Sequence, residues 1–285
     1  RATLWGAIEA TLSRASSAAL DRARGQASLF GMLEESNAGT MDVLNRLPEW
    51  PQSESLAAEK ELLGFYVSGH PLTPLAPLLK KYSLASTRSL PALPNRSVTR
   101  IGGMIAAVQN GFSKKSGKPY AMLTLEDLEG SVQVLCMNDN YDKFRELFVL
   151  NRAILVIAEV NIGEDKPKLF PLEITPLEDA PRRLTQQVHL RLHAAHLNPE
   201  RLSEVRSLVE GHRGRCPLYL CLMLPGGEAV FIETHESFRV LPSMALQQAV
   251  NERFGEDSYY VKVDNTLPER PRRAWEQREG NGDSD

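Results

Sequence analysis

From Asn110 to Tyr120 the chain reads Asn-Gly-Phe-Ser-Lys-Lys-Ser-Gly-Lys-Pro-Tyr, which puts Lys114, Lys115 and Lys118 within a few residues of Phe112 and Tyr120. Lysines attract phosphate oxygens and aromatic faces stack on unpaired bases, so this composition suits a single-stranded nucleic acid. Phe112 is the more telling aromatic, because a phenylalanine beside a loop glycine has little structural reason to be there. Tyr120 could equally point into a core. Lys166 and Lys168 supply a second basic loop further along. The plainer alternative is a solvated lysine loop on a protein-docking module. A different chemistry is suggested at Gln26-Ala-Ser-Leu-Phe30. Leu29 and Phe30 stand on a stretch between helices with no local core to enter, next to a glutamine that can hydrogen-bond. That pattern fits a short motif plugging a partner's pocket, with folding back on a neighbouring helix as the alternative.

No catalytic set accompanies these residues. Two-metal phosphoryl transfer needs clustered aspartates, whereas Glu126-Asp127 sits at a hairpin edge and Asp283 and Asp285 lie in the tail. The Gly-rich loops match no phosphate-binding fingerprint, and no Ser-His-Asp set is apparent. His70 precedes a proline without an acidic or nucleophilic neighbour, and a structural role is expected. His189, His193 and His196 fall on a strand and the loop after it. That spacing does not put them on one face, so no metal site is expected there. Cys136, Cys216 and Cys221 lack C-x-x-C spacing, which argues against a disulfide framework or zinc and fits a reducing cytoplasm. A net charge of −3 excludes a polycation that coats nucleic acid, so any such binding comes from local patches. No apolar run approaches a membrane span and no signal peptide is seen. The chain opens on Arg1 rather than Met, so a longer parent protein is expected.

The elements that must carry the first site run from Val98 to Thr175. An apolar strand from Val98 to Val108 is interrupted by Gly102-Gly103, where a bulge or bend is expected. Tyr120–Glu126 and Ser131–Cys136 read as a hairpin across Glu129-Gly130. Asp139 is placed to cap a helix from Asn140 to Phe148, and Ala153–Ile162 and Leu169–Thr175 complete the set. Three strands, a helix and two strands, with long basic loops after the first and fourth strands, is the order of an OB-fold barrel, which commonly grips single-stranded nucleic acid or sugar.

On the N-terminal side a helix from Ala2 to about Arg24 carries a weak stripe of Leu4, Ile8, Leu12, Ala15 and Ala19, and Gly25 stops it. Residues 32–53 read as a linker. Ser53 or Ser55 is placed to cap a helix through Val67 that buries Leu56, Leu62, Leu63, Tyr66 and Val67 and ends at Ser68-Gly69. Thr73 and Pro74 start a second helix reaching Tyr82. On the C-terminal side, Val188–Leu192 reads as a strand. Asn198-Pro199 opens a helix burying Leu202, Val205 and Leu208. Pro217–Leu224 and Glu228–Glu233 form a hairpin, Phe238–Val240 extends the sheet, Ser243 caps a helix ended by Gly255, and Tyr259–Val263 is the last strand. The expected layout is a multidomain α+β chain. It comprises a helix with the pocket-plugging motif over 1–31, the linker, a helical connector over 54–96, a five-stranded OB-fold barrel over 97–178, a small α+β domain over 184–266 and a disordered tail over 267–285.

The segment Glu59-Lys-Glu-Leu-Leu-Gly-Phe-Tyr-Val-Ser-Gly-His-Pro-Leu72 closely resembles the stretch preceding the OB domain in the α subunit of bacterial replicative DNA polymerase III. Gly25–Gly31 resembles that family's internal clamp-binding motif, and the barrel and final αβ domain follow in the family's order. The resemblance implies that Gln26, Ser28, Leu29 and Phe30 meet the DNA sliding clamp. It implies that Phe112, Lys114, Lys115, Lys118, Tyr120, Lys166 and Lys168 meet single-stranded template DNA, and that the last domain helps bind the clamp-loader τ subunit. It also implies a parent DNA-directed DNA polymerase whose two magnesium ions belong to a core absent from these residues. A stand-alone OB module for nucleic acid or protein is the alternative.

Overall fold

The first barrel strand, β1 (Val98–Phe112), changes partners along its length. The computed structural model describes residues 1–23, 46–114, 116–163 and 166–270. In it the first half of β1 runs antiparallel to β4 (Ala153–Asn161), from Val98 opposite Glu159 to Met104 opposite Ala153. Its second half pairs with β2 (Pro119–Glu126), ending with Phe112 opposite Pro119. β2 pairs in turn with β3 (Ser131–Met137), and β3 runs parallel to β5 (Lys168–Pro176). β5 closes antiparallel onto β4, giving a closed barrel in the order β1-β2-β3-β5-β4. This is the five-stranded OB architecture.

Alternation decides what lies inside. Ala121, Leu123 and Leu125 on β2 and Val134 and Cys136 on β3 are wholly buried, while their sequence neighbours face outward; β4 buries Ile154, Val156 and Val160 in the barrel and also covers Leu155 and Glu159. The glycine pair does not make the expected bulge. The register of β1 slips between Ile105 and Ala107 instead. Gly103 is needed for close approach, since a Cβ there would lie 2.7 Å from the Glu126 carbonyl oxygen and 2.8 Å from Leu125 Cγ. The helix between β3 and β4 also differs from expectation. α4 (Asp139–Phe144) begins at Asp139, so that residue is inside the helix rather than its cap, and a 3-10 turn continues to Leu147. Phe144 is buried under the barrel, with Leu147 and Phe148 packed beside it.

The chain separates into two compact units, Arg1–Pro71 and Leu72 onward, the boundary falling within the segment read as a connector. In the first unit, α1 (Ala2–Ala23) leaves Leu4, Trp5, Ile8 and Leu12 exposed. Helix α2 (Gln52–Leu63) follows Pro51, with no serine cap, and stops at Gly64, whose φ of 80° is left-handed. Tyr66 and Val67 therefore lie beyond the helix, and Gly64 rather than Ser68-Gly69 ends it. Leu56 is buried as expected, but Leu62 and Leu63 are exposed. After α2, the Glu59 carboxylate accepts from the backbone N–H groups of Val67 and Ser68 at 2.8 Å each and from the Ser68 hydroxyl. These bonds hold that carboxyl down at about 2. His70 packs its ring edge-on against Tyr66, a structural setting.

The second unit starts with a 3-10 turn, Thr73–Leu75, and α3 (Ala76–Tyr82), which buries Leu78, Leu79 and Tyr82, with Leu79 beside Gly102 of β1 and the Tyr82 hydroxyl on Thr185. After β5 the chain passes through α5 (Ala180–Leu184) into a four-stranded sheet of order β10-β6-β8-β9. These strands are β6 (Thr185–His193), β8 (Leu218–Met223), β9 (Ala229–Glu233) and β10 (Tyr259–Val263). β6 and β8 are parallel, so the chain crosses over through α6 (Pro199–Gly211). α6 opens at Asn198-Pro199 as expected, with Asn198 accepting from Arg201 N–H, and Ser243 caps α7 (Met244–Phe254) as expected by accepting from Leu246 N–H. Leu202 is exposed, however, so only Val205, Leu208 and Val209 of α6 reach the core. A short strand that the sequence did not suggest, β7 (Arg213–Cys216), bridges to Val240, so of the expected Phe238–Val240 extension only Val240 pairs, while Phe238 ends a 3-10 turn. Among the described residues no helix is long and apolar enough to cross a membrane.

Candidate nucleic-acid interface

Barrel parity settles which way Tyr120 points. It pairs with Gly111 on one side and Met137 on the other, one step out of phase with buried Ala121, so it stands on the outer face. Its ring lies across Gly111, where a Cβ would come within 2.8 Å of the tyrosine's Cζ and hydroxyl. Any side chain at position 111 would displace the ring. Two further outward rows follow along the same strands, with Met122 between Gln109 and Leu135, then Thr124 between Ala107 and Gln133.

The loop that ends β1 closes on itself. Ser113 N–H donates to the Lys118 carbonyl at 2.9 Å and Gly117 N–H to the Ser113 carbonyl at 2.7 Å, with Gly117 at φ 65°. This tight closure leaves Phe112 at its base 75% exposed, too open to be a core residue. Lys114 and Lys118 are exposed on the loop. Lys115 lies outside the described residues. On the opposite flank, Lys168 begins β5 beside Gln133 of β3 and Asn161 of β4, and Lys166 precedes it in the loop. Among the described residues Lys114, Lys118, Lys166 and Lys168 make no ion pair, so their charges are available to a ligand.

The two lysine groups are not gathered on one point. Lys168 is level with Gln133 and Tyr120 with Met137, four residues apart along β3, or about 13 Å of strand. The groups bracket a face carrying Tyr120, Met122, Leu135 and Met137, which is the geometry of a track for an extended chain rather than a pocket for one phosphate. Lysines can hold backbone phosphates at either side while Phe112 and Tyr120 offer ring faces to bases. Phe170, next to buried Leu169 on β5, also faces outward opposite Glu159 and is partly exposed. Its alternation with Leu169 was the available signal, and sequence reasoning passed it over.

The remaining predicted groups are scattered. Gln26, Ser28, Leu29 and Phe30 lie outside the described residues. His189 stacks on Tyr219 at 5.1 Å and meets Phe231 edge-on, while His193 and His196 lie together at the far end of β6. Burial lowers the His189 pKa, with Lys262 adding to the effect. Among the described residues no group of three or more His, Cys, Asp or Glu is arranged to hold a metal.

Residues 99–177 match the family model described as an OB-fold nucleic acid binding domain, in agreement with the barrel's OB topology. Over most of its length the chain is also homologous to DNA polymerase III subunit alpha. It is 27% identical over 265 residues to that protein from Pseudomonas fluorescens, covering 92% of this chain and 22% of the relative. It is 30% identical over 242 residues to that from Mycobacterium tuberculosis, covering 82% of this chain and 20% of the relative. The chain thus spans about a fifth of the length of these relatives. The SSB domain of a Synechococcus sp. protein is similar at 10% identity with a TM-score of 0.26, over 29% of this chain and 97% of that one, a likeness too distant to carry an argument.

Proposed function

We propose that this chain is the C-terminal accessory region of a replicative DNA polymerase III α subunit, in which the barrel holds the single-stranded template. The observation that supports this most is the outer face of β2 and β3, where exposed Phe112 and outward Tyr120 stand beside Lys114 and Lys118, which make no ion pair among the described residues. Nothing in the barrel core requires an exposed phenylalanine at that point. In the same reading Gln26, Ser28, Leu29 and Phe30 engage the sliding clamp and the C-terminal sheet domain engages the clamp-loader τ subunit. Several modest contacts on one chain give firm attachment through effective concentration. Nucleotidyl transfer with its two magnesium ions is assigned to the polymerase core of the parent protein, in the cytoplasm. The work of this chain is to hold partners and template.

The test is binding of labelled single-stranded DNA to the wild-type chain and to two variants. Phe112→Ala removes one stacking face and should weaken binding about 5- to 150-fold, the range expected for one base–aromatic contact of about 1–3 kcal/mol. Lys114→Ala with Lys118→Ala should flatten the salt dependence. Wild-type affinity in both variants would overturn the template reading of this face. For the clamp contact, Leu29→Ala with Phe30→Ala should abolish binding to purified clamp, and retained affinity would refute that assignment.

A further inference from the structure

Away from the barrel's outer face, a cleft of about 550 Å³ opens where α5 leads into the C-terminal sheet, lined by Arg182, Thr185, Gln186, Arg215, Pro217 and Leu241 among others. The chain as a whole has more carboxylates than cations, 36 against 33, yet among the described residues no carboxylate lines this cleft. Arg182 and Arg215 are exposed and make no ion pair among the described residues. Arg183, next to Arg182, pairs with Glu173 at 3.4 Å, and Arg239 with Glu236 at 3.8 Å. The Asp264 carboxylate, bonded to cleft-lining Gln186, also accepts from Thr266 N–H.

The mount for Arg215 is firm. Gly214 N–H donates to the Arg239 carbonyl at 3.0 Å and Leu241 N–H to the His212 carbonyl at 2.8 Å. A Cβ on Gly214 would collide with the backbone of Val240 and Leu241, so only glycine lets β7 lie this close. On the other wall the Thr185 hydroxyl is held by the Tyr82 hydroxyl at 2.9 Å. Two guanidinium forks on fixed elements, with proline and leucine surfaces between them, suit a phosphodiester: the forks take phosphate oxygens and the apolar walls take sugar.

We propose that this cleft is a second nucleic-acid site, binding the sugar–phosphate backbone through Arg182 and Arg215. It lies beyond the far end of β5 from Lys168, eight residues or about 26 Å along the strand, so it extends the track rather than sharing it. The inference rests on the reading that the chain binds nucleic acid, though not on which barrel residues do so.

Fluorescence anisotropy with the full chain tests it, using single-stranded oligonucleotides of about 6 and about 30 nucleotides, the shorter near the lower end of what one OB barrel covers. Arg182→Gln with Arg215→Gln should weaken binding of the longer strand about tenfold at low salt. It should also lower the slope of log K against log salt by about 1.4, two contacts at about 0.7 each. Binding of the shorter strand should not change. Equal affinity and slope for the longer strand in variant and wild type would overturn the proposal while leaving the barrel reading intact. Loss in the arginine variant with no loss in either Phe112→Ala or Lys114→Ala with Lys118→Ala would instead overturn the barrel reading and support the cleft. A chain that binds neither strand overturns both. If the arginine variant loses affinity for a polyglutamate peptide and not for DNA, the cleft takes acidic protein and the proposal fails.

Discussion

Replacing Arg100 by methionine should uncouple the barrel from the C-terminal sheet. Arg100 is wholly buried on β1, and its guanidinium reaches three acceptors from elements far apart in sequence. Nε donates to the Tyr82 carbonyl at 2.6 Å, Nη1 to the Asp264 carbonyl at 2.8 Å and Nη2 to Asn265 Oδ1 at 3.1 Å. Methionine keeps the apolar bulk and removes every donor. The two backbone carbonyls are then left without a partner, at about 1.5–3 kcal/mol for each bond from a charged donor. Exposed Asn265 can turn to water and adds little. The sum of about 3–6 kcal/mol is an upper bound, because methionine no longer requires a charge to be kept from water. A net loss of about 3 kcal/mol is expected, which at about 1–3 kcal/mol per molar urea lowers the unfolding midpoint by about 1 M or more. Urea unfolding followed by circular dichroism reads this directly, with Asn265→Ala as the control that should shift little. An Arg100→Met midpoint within about 0.2 M of wild type would refute the reasoning, since the joint would then owe nothing to those bonds.

Three further outcomes are expected. Gly103→Ala forces a Cβ to 2.7 Å from the Glu126 carbonyl oxygen. It should cost about 1–3 kcal/mol and lower the melting temperature by about 2–12 °C, measured by calorimetry. Glu59→Gln should speed hydrogen exchange at Val67 and Ser68, the amides its carboxylate holds at 2.8 Å. The wild-type chain should lose the same protection as pH falls from the ordinary carboxylate range through about 2, because a depressed pKa stabilises the fold only while the group stays ionised. Burial pushes the Cys136 thiol up to about 12 and Cys216 up to about 11. Both should resist a thiol reagent at pH 8 until the chain unfolds. Stability should fall as pH rises from about 8.5, where unfolded thiols ionise, towards those values, as tracked by unfolding midpoints.

Much of the barrel was legible because a strand with one buried face must alternate. β2 and β3 carry that alternation plainly, and the helix start at Asn198-Pro199 and the Ser243 cap were readable from local chemistry alone. What was not legible depends on contacts distant in sequence. Gly103 reads as a bend until the Glu126 carbonyl is seen beside it. Leu62 and Leu63 read as a buried side because periodicity says which residues share a face, not which face is covered. Four residues of β7, Arg-Gly-Arg-Cys, are too few and too polar to show a period. Arg100 looks like a polar position on a strand until α3 and the segment after β10 enclose it. At the site, the lysines and Phe112 were visible as composition. The direction of Tyr120 needed the register, and Phe170 was missed because its strand was read only for its core.

The account stands most directly on whether the chain prefers a single strand. Binding of one labelled sequence as single strand and as duplex, measured across a salt series, should show tighter binding of the single strand, with affinity falling as salt rises. Equal or tighter binding of the duplex, or no binding at low salt, would contradict it and make the barrel a module for docking protein.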